Sequence, residues 1–322
     1  MNKYLNPKYI IQINPADIVD KHTICNNLKT TQFASLVNNL NDRDSRIVQR
    51  ILIELHLSGY THALTSKLYN YFLDRVNVCQ PGAISYVNHF NEYYSEYGAM
   101  DRKNSTQMSN DQVIRNYFIF MGTLLCKSDK RSLPKLPKIH ENDFDISTLK
   151  SILISKNLKN VLSYVLPNYN KNIIVPFSEI INHIKMKGQV SSICYWISWL
   201  FAFEKQYHNK NLELKYRIID GIDEKHNHNF VWIVWDMLLN NIEARNQKYV
   251  RELYARFKTK FSMGSRKQKM KLFIFGIVLH FGSHSAAIDP GLLALSRRES
   301  LHCNIKYRNV YDAYTTNKSI KM

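Results

Sequence analysis

Between Arg245 and Lys271, ten basic residues stand against a single acid, Glu252: Arg245, Lys248, Arg251, Arg256, Lys258, Lys260, Arg266, Lys267, Lys269 and Lys271. Such a density of cations suits binding of a polyanion, because each neutralised phosphate releases counterions. The spacing gives the run a shape. At 100° per residue, Val250, Leu253, Tyr254, Phe257 and Phe261 fall on one arc of a helix, while Arg245, Lys248, Arg251, Arg256, Lys258 and Lys260 fan over the rest. One face packs and the other offers a positive ridge. Past Met263-Gly264-Ser265 the chain opens a further helix with a cationic first turn, at the end where the helix dipole favours anions. That local conflict points to a phosphate partner.

Two further basic clusters occur. Lys127, Lys130, Arg131, Lys135 and Lys138 surround Pro134 and Pro137, and Arg297, Arg298, Lys306 and Arg308 lie near the C-terminus. One shared groove and scattered patches are equally compatible with these positions. The 20 Tyr and 15 Phe offer stacking surfaces for single strands, but most fall on helical core stripes.

Enzymatic patterns are weak. Gly122 to Lys127-Ser128 lacks the second glycine of a phosphate loop, is one residue short, and lies in an apolar helical pattern. His226-Asn227-His228 reads as a polar loop before Phe230. His280 and His284 have metal-ligand spacing but no third ligand nearby, and Gly282 between them weakens the helix. Leu68, Tyr71 and Phe72 have the spacing of a sliding-clamp peptide, yet they also form a helical core stripe, and Thr65 stands where such peptides carry glutamine. No acidic cluster suits a two-metal nuclease, and no Ser/His/Asp or Cys/His grouping stands out. These patterns call for no catalytic residue, metal or cofactor.

The elements that carry these residues are helical. The chain has only 10 glycines and 8 prolines in 322 residues, against averages of about 7% and 5%, too few to turn an all-β fold. Hydrophobic residues make up 45% and charged residues 22%, enough apolar surface for a packed core. The formal charge of +18 again favours an anionic partner, nucleic acid first and an anionic membrane face second. Five singly placed cysteines, Cys25, Cys79, Cys126, Cys194 and Cys303, fit a reducing, intracellular compartment. The longest apolar runs, Ile193 to Phe203, Phe230 to Leu239 and Leu272 to Phe281, are too short for a membrane span.

The periodicity predicts an αα-hairpin over 46–77, capped by Asp44 or Ser45 and turned at Ser58-Gly59. Helices are expected over 81–97 and 111–126, over 147–156 and on to Leu166, from Phe177 to Lys187, over 190–204 and over 230–242. Residues 1–28, with Pro7, Pro15 and the apolar run Tyr9 to Ile13, read as an arm or edge strand docked on the body. The basic proline linker divides the remainder into helical subdomains at 29–140 and 141–322, the second carrying the ridge and the C-terminal tail. All four tryptophans fall in the helices at 190–204 and 230–242, so their packing is expected to build the second core.

Two of these segments carry a resemblance. Tyr195-Trp-Ile-Ser-Trp-Leu-Phe-Ala-Phe-Glu-Lys205 and Phe230-Val-Trp-Ile-Val-Trp-Asp236 resemble helical proteins of large (giant) DNA viruses with the texture of a clamp-loader collar. The abundance of Asn, Lys, Ile and Tyr has the same flavour. The resemblance implies stacked antiparallel helices, collar-like or solenoid-like, and an accessory role, since no ATPase module is present. The expectation is therefore an all-α, non-enzymatic nucleic-acid-binding accessory protein of viral replication or transcription. Its partners would be DNA or RNA and a viral replication or virion protein, in host cytoplasm, nucleus or virion. The alternative is a structural virion protein that contacts the genome or inner capsid through its basic face.

Overall fold

Local signals start the helices where the sequence places them. Asp44 accepts from the backbone N–H groups of Arg46 at 3.0 Å and Ile47 at 3.1 Å, and so caps the second helix. Asp111 caps the sixth in the same way, through Val113 at 2.7 Å and Ile114 at 3.1 Å. Gly59, with φ +78°, turns the chain out of the second helix in a conformation that glycine adopts without strain.

The computed structural model describes residues 6–13, 18, 20–95, 105–145, 147, 149, 152–155, 159–167, 169, 171–186, 188–210, 214–263, 266–281 and 288–320, with backbone alone at 105, 171, 262, 263, 267 and 317–320. The fold is all-α, with no strand among the described residues. In chain order the helices are α1 (Lys29–Asp42), α2 (Ser45–Leu57), α3 (Thr61–Tyr71), α4 (Ala83–Ser95), α5 (Ser105–Ser109), α6 (Gln112–Lys127), α7 (Lys171–Met186), α8 (Val190–Asn209), α9 (Val231–Asn241), α10 (Ala244–Met263), α11 (Arg266–Phe281), α12 (Pro290–Leu301) and α13 (Cys303–Ile320). None of the described helices is long and apolar enough to cross a membrane.

Two compact units result, Met1–Arg131 with Ala287–Met322, and Ser132–Ala286. In the first, α6 packs on α2, and Gly122 allows their close approach: a Cβ there would lie 2.4 Å from Leu52 Cδ1. The stretch that faintly matched a phosphate loop is thus the interior of a buried helix. Leu68, Tyr71 and Phe72 are likewise buried, so the docking-peptide pattern is core.

The N-terminal segment docks without forming a strand. Ile11 and Ile13 are buried, and the polar backbone between them is met by side chains. Asn110 accepts from the Ile11 N–H at 2.8 Å and donates to the Ile11 carbonyl at 2.7 Å; Thr106 and Tyr311 donate to the carbonyls of Ile13 and Gln12 at 2.9 and 2.7 Å. These side chains take the place of a neighbouring strand.

The C-terminal segment, which sequence patterning places with the second subdomain, belongs to the first unit. Helix α12 packs on α6, and α13 on α2 and α6. Cys303 and Tyr307 enter a core shared with Ile11, Ile24, Ile53, Leu57 and Ile119. The boundary between units falls after Arg131 rather than near 140, and again at Ala287.

In the second unit, the two helices expected over 147–156 and up to Leu166 are absent among the described residues, where Lys159–Val161 forms a 3-10 turn and 153–155 carry no helix. The cause is a competing acceptor. The buried Glu179 carboxylate of α7 takes the N–H groups of Ile154 (3.0 Å) and Ser155 (2.7 Å). Helix α7 itself starts at Lys171, ahead of the expected Phe177, and contains Pro176. Trp196, Trp199, Trp232 and Trp235 are all fully buried. Trp199 packs with Phe144 and Phe203, Trp196 with Tyr195, and Trp232 and Trp235 share a cluster with Tyr254 and Phe257.

Candidate nucleic-acid interface and adjacent cleft

Helix α10 divides its residues by face as the 3.6 period requires. Val250, Leu253 and Phe257 are buried against the tryptophan cluster, with Tyr254 and Phe261 half-buried beside them. Arg245, Lys248, Arg251 and Lys258 are exposed on the opposite arc. At 1.5 Å per residue this row runs about 20 Å along the helix. Arg245 is partly neutralised by Glu243, 2.7 Å from its Nε, whereas Lys248 and Arg251 have no ion-pair partner among the described residues. The Lys258 ammonium sits 5.1 Å from the Tyr254 ring centroid, a contact that leaves its charge uncompensated. The helix's single acid, Glu252, is half-buried.

The remaining basic residues of the run take other positions. Arg256 and Lys260 are half-buried on the flank of α10, where burial, with Arg256 nearby, holds the Lys260 ammonium below its usual range. Arg266 is exposed and Lys269 and Lys271 half-buried on α11, while the Lys267 side chain lies outside the described residues. The ten are therefore not one continuous surface. Four form the outer row of α10, and Arg266 and Lys269 turn toward a cleft.

That cleft, about 380 Å³, is lined by Phe201, Glu204, Lys205, His208, His228, Asn229, Val231, Phe261, Arg266 and Lys269. Four elements build it. Phe201, Glu204, Lys205 and His208 stand at i, i+3, i+4 and i+7 of α8 and share one face. The turn into α9 brings His228, Asn229 and Val231; the last turn of α10 brings Phe261; the first turn of α11 brings Arg266 and Lys269.

Glu204 is the buried charged member, only 7% exposed. Its Oε1 accepts from the Phe230 N–H at 3.0 Å, at the positive end of α9, and its carboxyl also meets the Tyr216 hydroxyl. Burial nevertheless wins and pushes the carboxyl up to about 7, against the lowering effects of Phe230, Tyr216 and Arg266. Tyr216 is placed by its neighbours. Leu214, two residues earlier, is buried, and Arg217 is tied to Asp236 at 2.8 Å and to the Tyr164 carbonyl at 3.2 Å. The Tyr216 oxygen lies 3.2 Å from Nε2 of the exposed His208. A hydrogen-bonded line thus runs from solvent-exposed His208 through Tyr216 to buried Glu204. With Glu204 ionised, His208 donates to Tyr216 and Tyr216 to the carboxylate; with Glu204 protonated, both bonds reverse.

Comparison with known protein families, curated proteins and solved structures returns no match. The functional reading therefore rests on charge and geometry.

The sequence pattern missed the cleft for a local reason: it ends α8 at Glu204, whereas the helix continues to Asn209 and adds Lys205 and His208 to the same face. Carrying the 3.6 period one turn further would have exposed the Phe-Glu-Lys-His stripe. His228, read as a loop residue, lines the cleft; His226 instead uses its carbonyl to accept from Trp232 Nε1 at 2.7 Å. His280 is buried with its ring Nε2 3.1 Å from the Ile184 carbonyl, and His284 lies outside the described residues. No group of metal-ligating side chains occurs among the described residues. The other two basic clusters are partly spent in structure. Lys130 donates to the Cys126 and Ser128 carbonyls at 2.8 Å, Lys306 pairs with Glu299, and Arg308 pairs with Asp312 at 2.8 Å.

Proposed function

We propose that the protein binds nucleic acid through the outer face of α10 and serves as an accessory factor in viral replication or transcription. The observation that carries the binding reading is the exposed row Arg245, Lys248, Arg251 and Lys258 on a helix whose opposite face is locked into an aromatic core. A rigid row of about 20 Å can meet phosphates over roughly six base-pair steps without reordering the backbone, so contact costs only side-chain entropy. The viral setting rests on the resemblance of the two tryptophan helices.

The test is fluorescence anisotropy with labelled single-stranded DNA, duplex DNA and RNA across a salt series. Each phosphate contact adds roughly 0.7 to 0.9 to the log–log salt slope, so reversing Lys248, Arg251 and Lys258 to Glu is expected to lower the slope by about 2 to 3. The three side chains are exposed, so the fold should survive and circular dichroism should not change. Unchanged affinity in the triple variant, or no binding by the native chain at low salt, overturns the reading.

A further inference from the structure

The cleft at the start of α11 concentrates charge that the protein itself does not neutralise. Lys205 and Arg266 are exposed and form no close ion pair among the described residues, Arg266 acting on the buried Glu204 carboxyl only through its field; the Lys269 ammonium donates to the Phe261 carbonyl at 3.0 Å and lies 4.6 Å from that ring's centroid. His208 and His228 add two imidazole rings. The single carboxyl, Glu204, is turned inward to the Phe230 N–H and Tyr216. Three permanent cations converging on one concavity repel one another, and Arg266 and Lys269 do so at the positive end of the α11 dipole. An anion of about two charges relieves both conflicts. Phe201 and Phe261 supply flat apolar wall beside the cations, and about 380 Å³ is at the small end of the roughly 300–1,000 Å³ range of ligand sites.

We infer that this cleft binds a nucleoside monophosphate unit, with the phosphate held by Lys205, Arg266 and Lys269 and the base laid against Phe201 and Phe261. An arginine fork with lysine ammoniums matches the oxygens of a phosphate monoester, and an aromatic wall accepts any base by its flat face. Lys248, Arg251 and Lys258 of the outer α10 row do not line the cleft, so this site stands independently of the nucleic-acid reading.

Binding is coupled to a proton. The groups facing the Glu204 carboxyl are the Phe230 N–H at the start of α9, Tyr216 with Tyr169 near it, Arg266 of α11, and His208 of its own helix through Tyr216; Lys205, Lys269 and His228 complete the charged lining. A phosphate beside this set favours the neutral carboxyl. With the carboxyl at about 7, only about a tenth of the molecules hold that proton at pH 8, so an amide in its place removes a penalty of up to about tenfold.

Isothermal titration calorimetry of the full chain with adenosine 5′-monophosphate, adenosine and inorganic phosphate tests the site. The monophosphate is expected to bind more tightly than either fragment. Lys205→Ala with Arg266→Ala should weaken it at least tenfold. Glu204→Gln, whose amide oxygen still accepts from Phe230, should bind up to about tenfold more tightly than native at pH 8 and equally at pH 6. Lys248→Glu with Arg251→Glu should leave the monophosphate affinity unchanged, which separates this site from the α10 row. Competition by 5′-phosphorylated but not 5′-hydroxyl oligothymidylate assigns the ligand to a strand end; no competition by either assigns it to free nucleotide. No heat with the monophosphate at millimolar concentration, equal affinity for adenosine, or unchanged affinity in the double alanine variant overturns the proposal.

Discussion

Each unit buries a charged or titratable centre, and the two centres are built on opposite plans. In the first, the fully buried Arg115 places its guanidinium 4.6 Å from the Tyr307 ring centroid and donates only to neutral acceptors. These are the carbonyls of Ser109 at 2.6 Å and Tyr9 at 3.2 Å, and the side chains of Asn304 at 3.0 Å and Asn110 at 3.1 Å. Buried His56 adds a contact of 2.6 Å to the Tyr307 hydroxyl. In the second, Glu204 is equally hidden but opens through Tyr216 and His208 onto a cleft edged with cations. A closed network ties chain segments together; an open one keeps a protonation state adjustable from outside. The first is architecture and the second has the form of a site.

The contrast extends to pH, and the largest expected effect comes from His56. Burial, reinforced by Arg115, lowers its pKa to about 3, so the folded first unit keeps it neutral while the unfolded chain protonates near 6.5. The unfolded state therefore binds more protons between these values, and the first unit should lose about 5 kcal/mol as pH falls from about 6.5 to 3. All four tryptophans lie in the second unit, so far-ultraviolet circular dichroism follows both units and tryptophan fluorescence only the second. On acidification, an early loss of helical signal at constant fluorescence is expected. Simultaneous loss of both signals would break the comparison.

Arg115→Met comes next. It leaves the buried Ser109 carbonyl without its donor, removes the bonds to Tyr9, Asn304 and Asn110, and should cost about 3–5 kcal/mol of first-unit stability. Urea unfolding should show this as an earlier circular-dichroism transition with an unmoved fluorescence midpoint; a shift of both midpoints would mean that the two centres are not separate.

The second unit should respond to pH in the opposite sense. Glu204 titrates near 4.5 when unfolded and about 7 when folded, so its contribution is complete below about 4.5 and declines as pH rises through 7. Across that window the second unit should lose about 3 kcal/mol, read from the fluorescence midpoint in urea at pH 5 and pH 8. Glu204→Gln should flatten this dependence, and a persisting slope would assign the titration to another group.

The smallest effect tests the architecture alone. Gly122→Ala sets a methyl against Leu52 Cδ1, the far end of a side chain that can turn aside, so about 1–2 kcal/mol of the first unit should be lost with the cleft unaffected.

Much of this was legible before tertiary structure entered. Asp44 as one of two candidate caps, the helix over 111–126, Gly59 as a stop and the two faces of α10 all follow from neighbours within a turn or two, where the 3.6-residue period and the capping chemistry act. The limits of that logic show at 147–166. There a local pattern favours helix, but the distant Glu179 carboxylate competes for the Ile154 and Ser155 N–H groups and wins.

By itself, then, the sequence determined an all-α chain, the aromatic burial of its four tryptophans and a helix with one cationic face, because each depends on periodicity along a single element. Tertiary structure alone decided that α12 and α13 return to the first unit, that Arg115 finds acceptors on two distant segments, at Tyr9 and Asn304, and that Phe201, Glu204, Lys205 and His208 meet His228, Arg266 and Lys269 around one cleft, with Tyr216 joined to Glu204 and His208. The physical reason is the same in each case. A helix fixes which residues share a face, but which faces meet depends on the free energy of packing summed over the whole unit, and residues far apart in the chain carry no local mark of their partners.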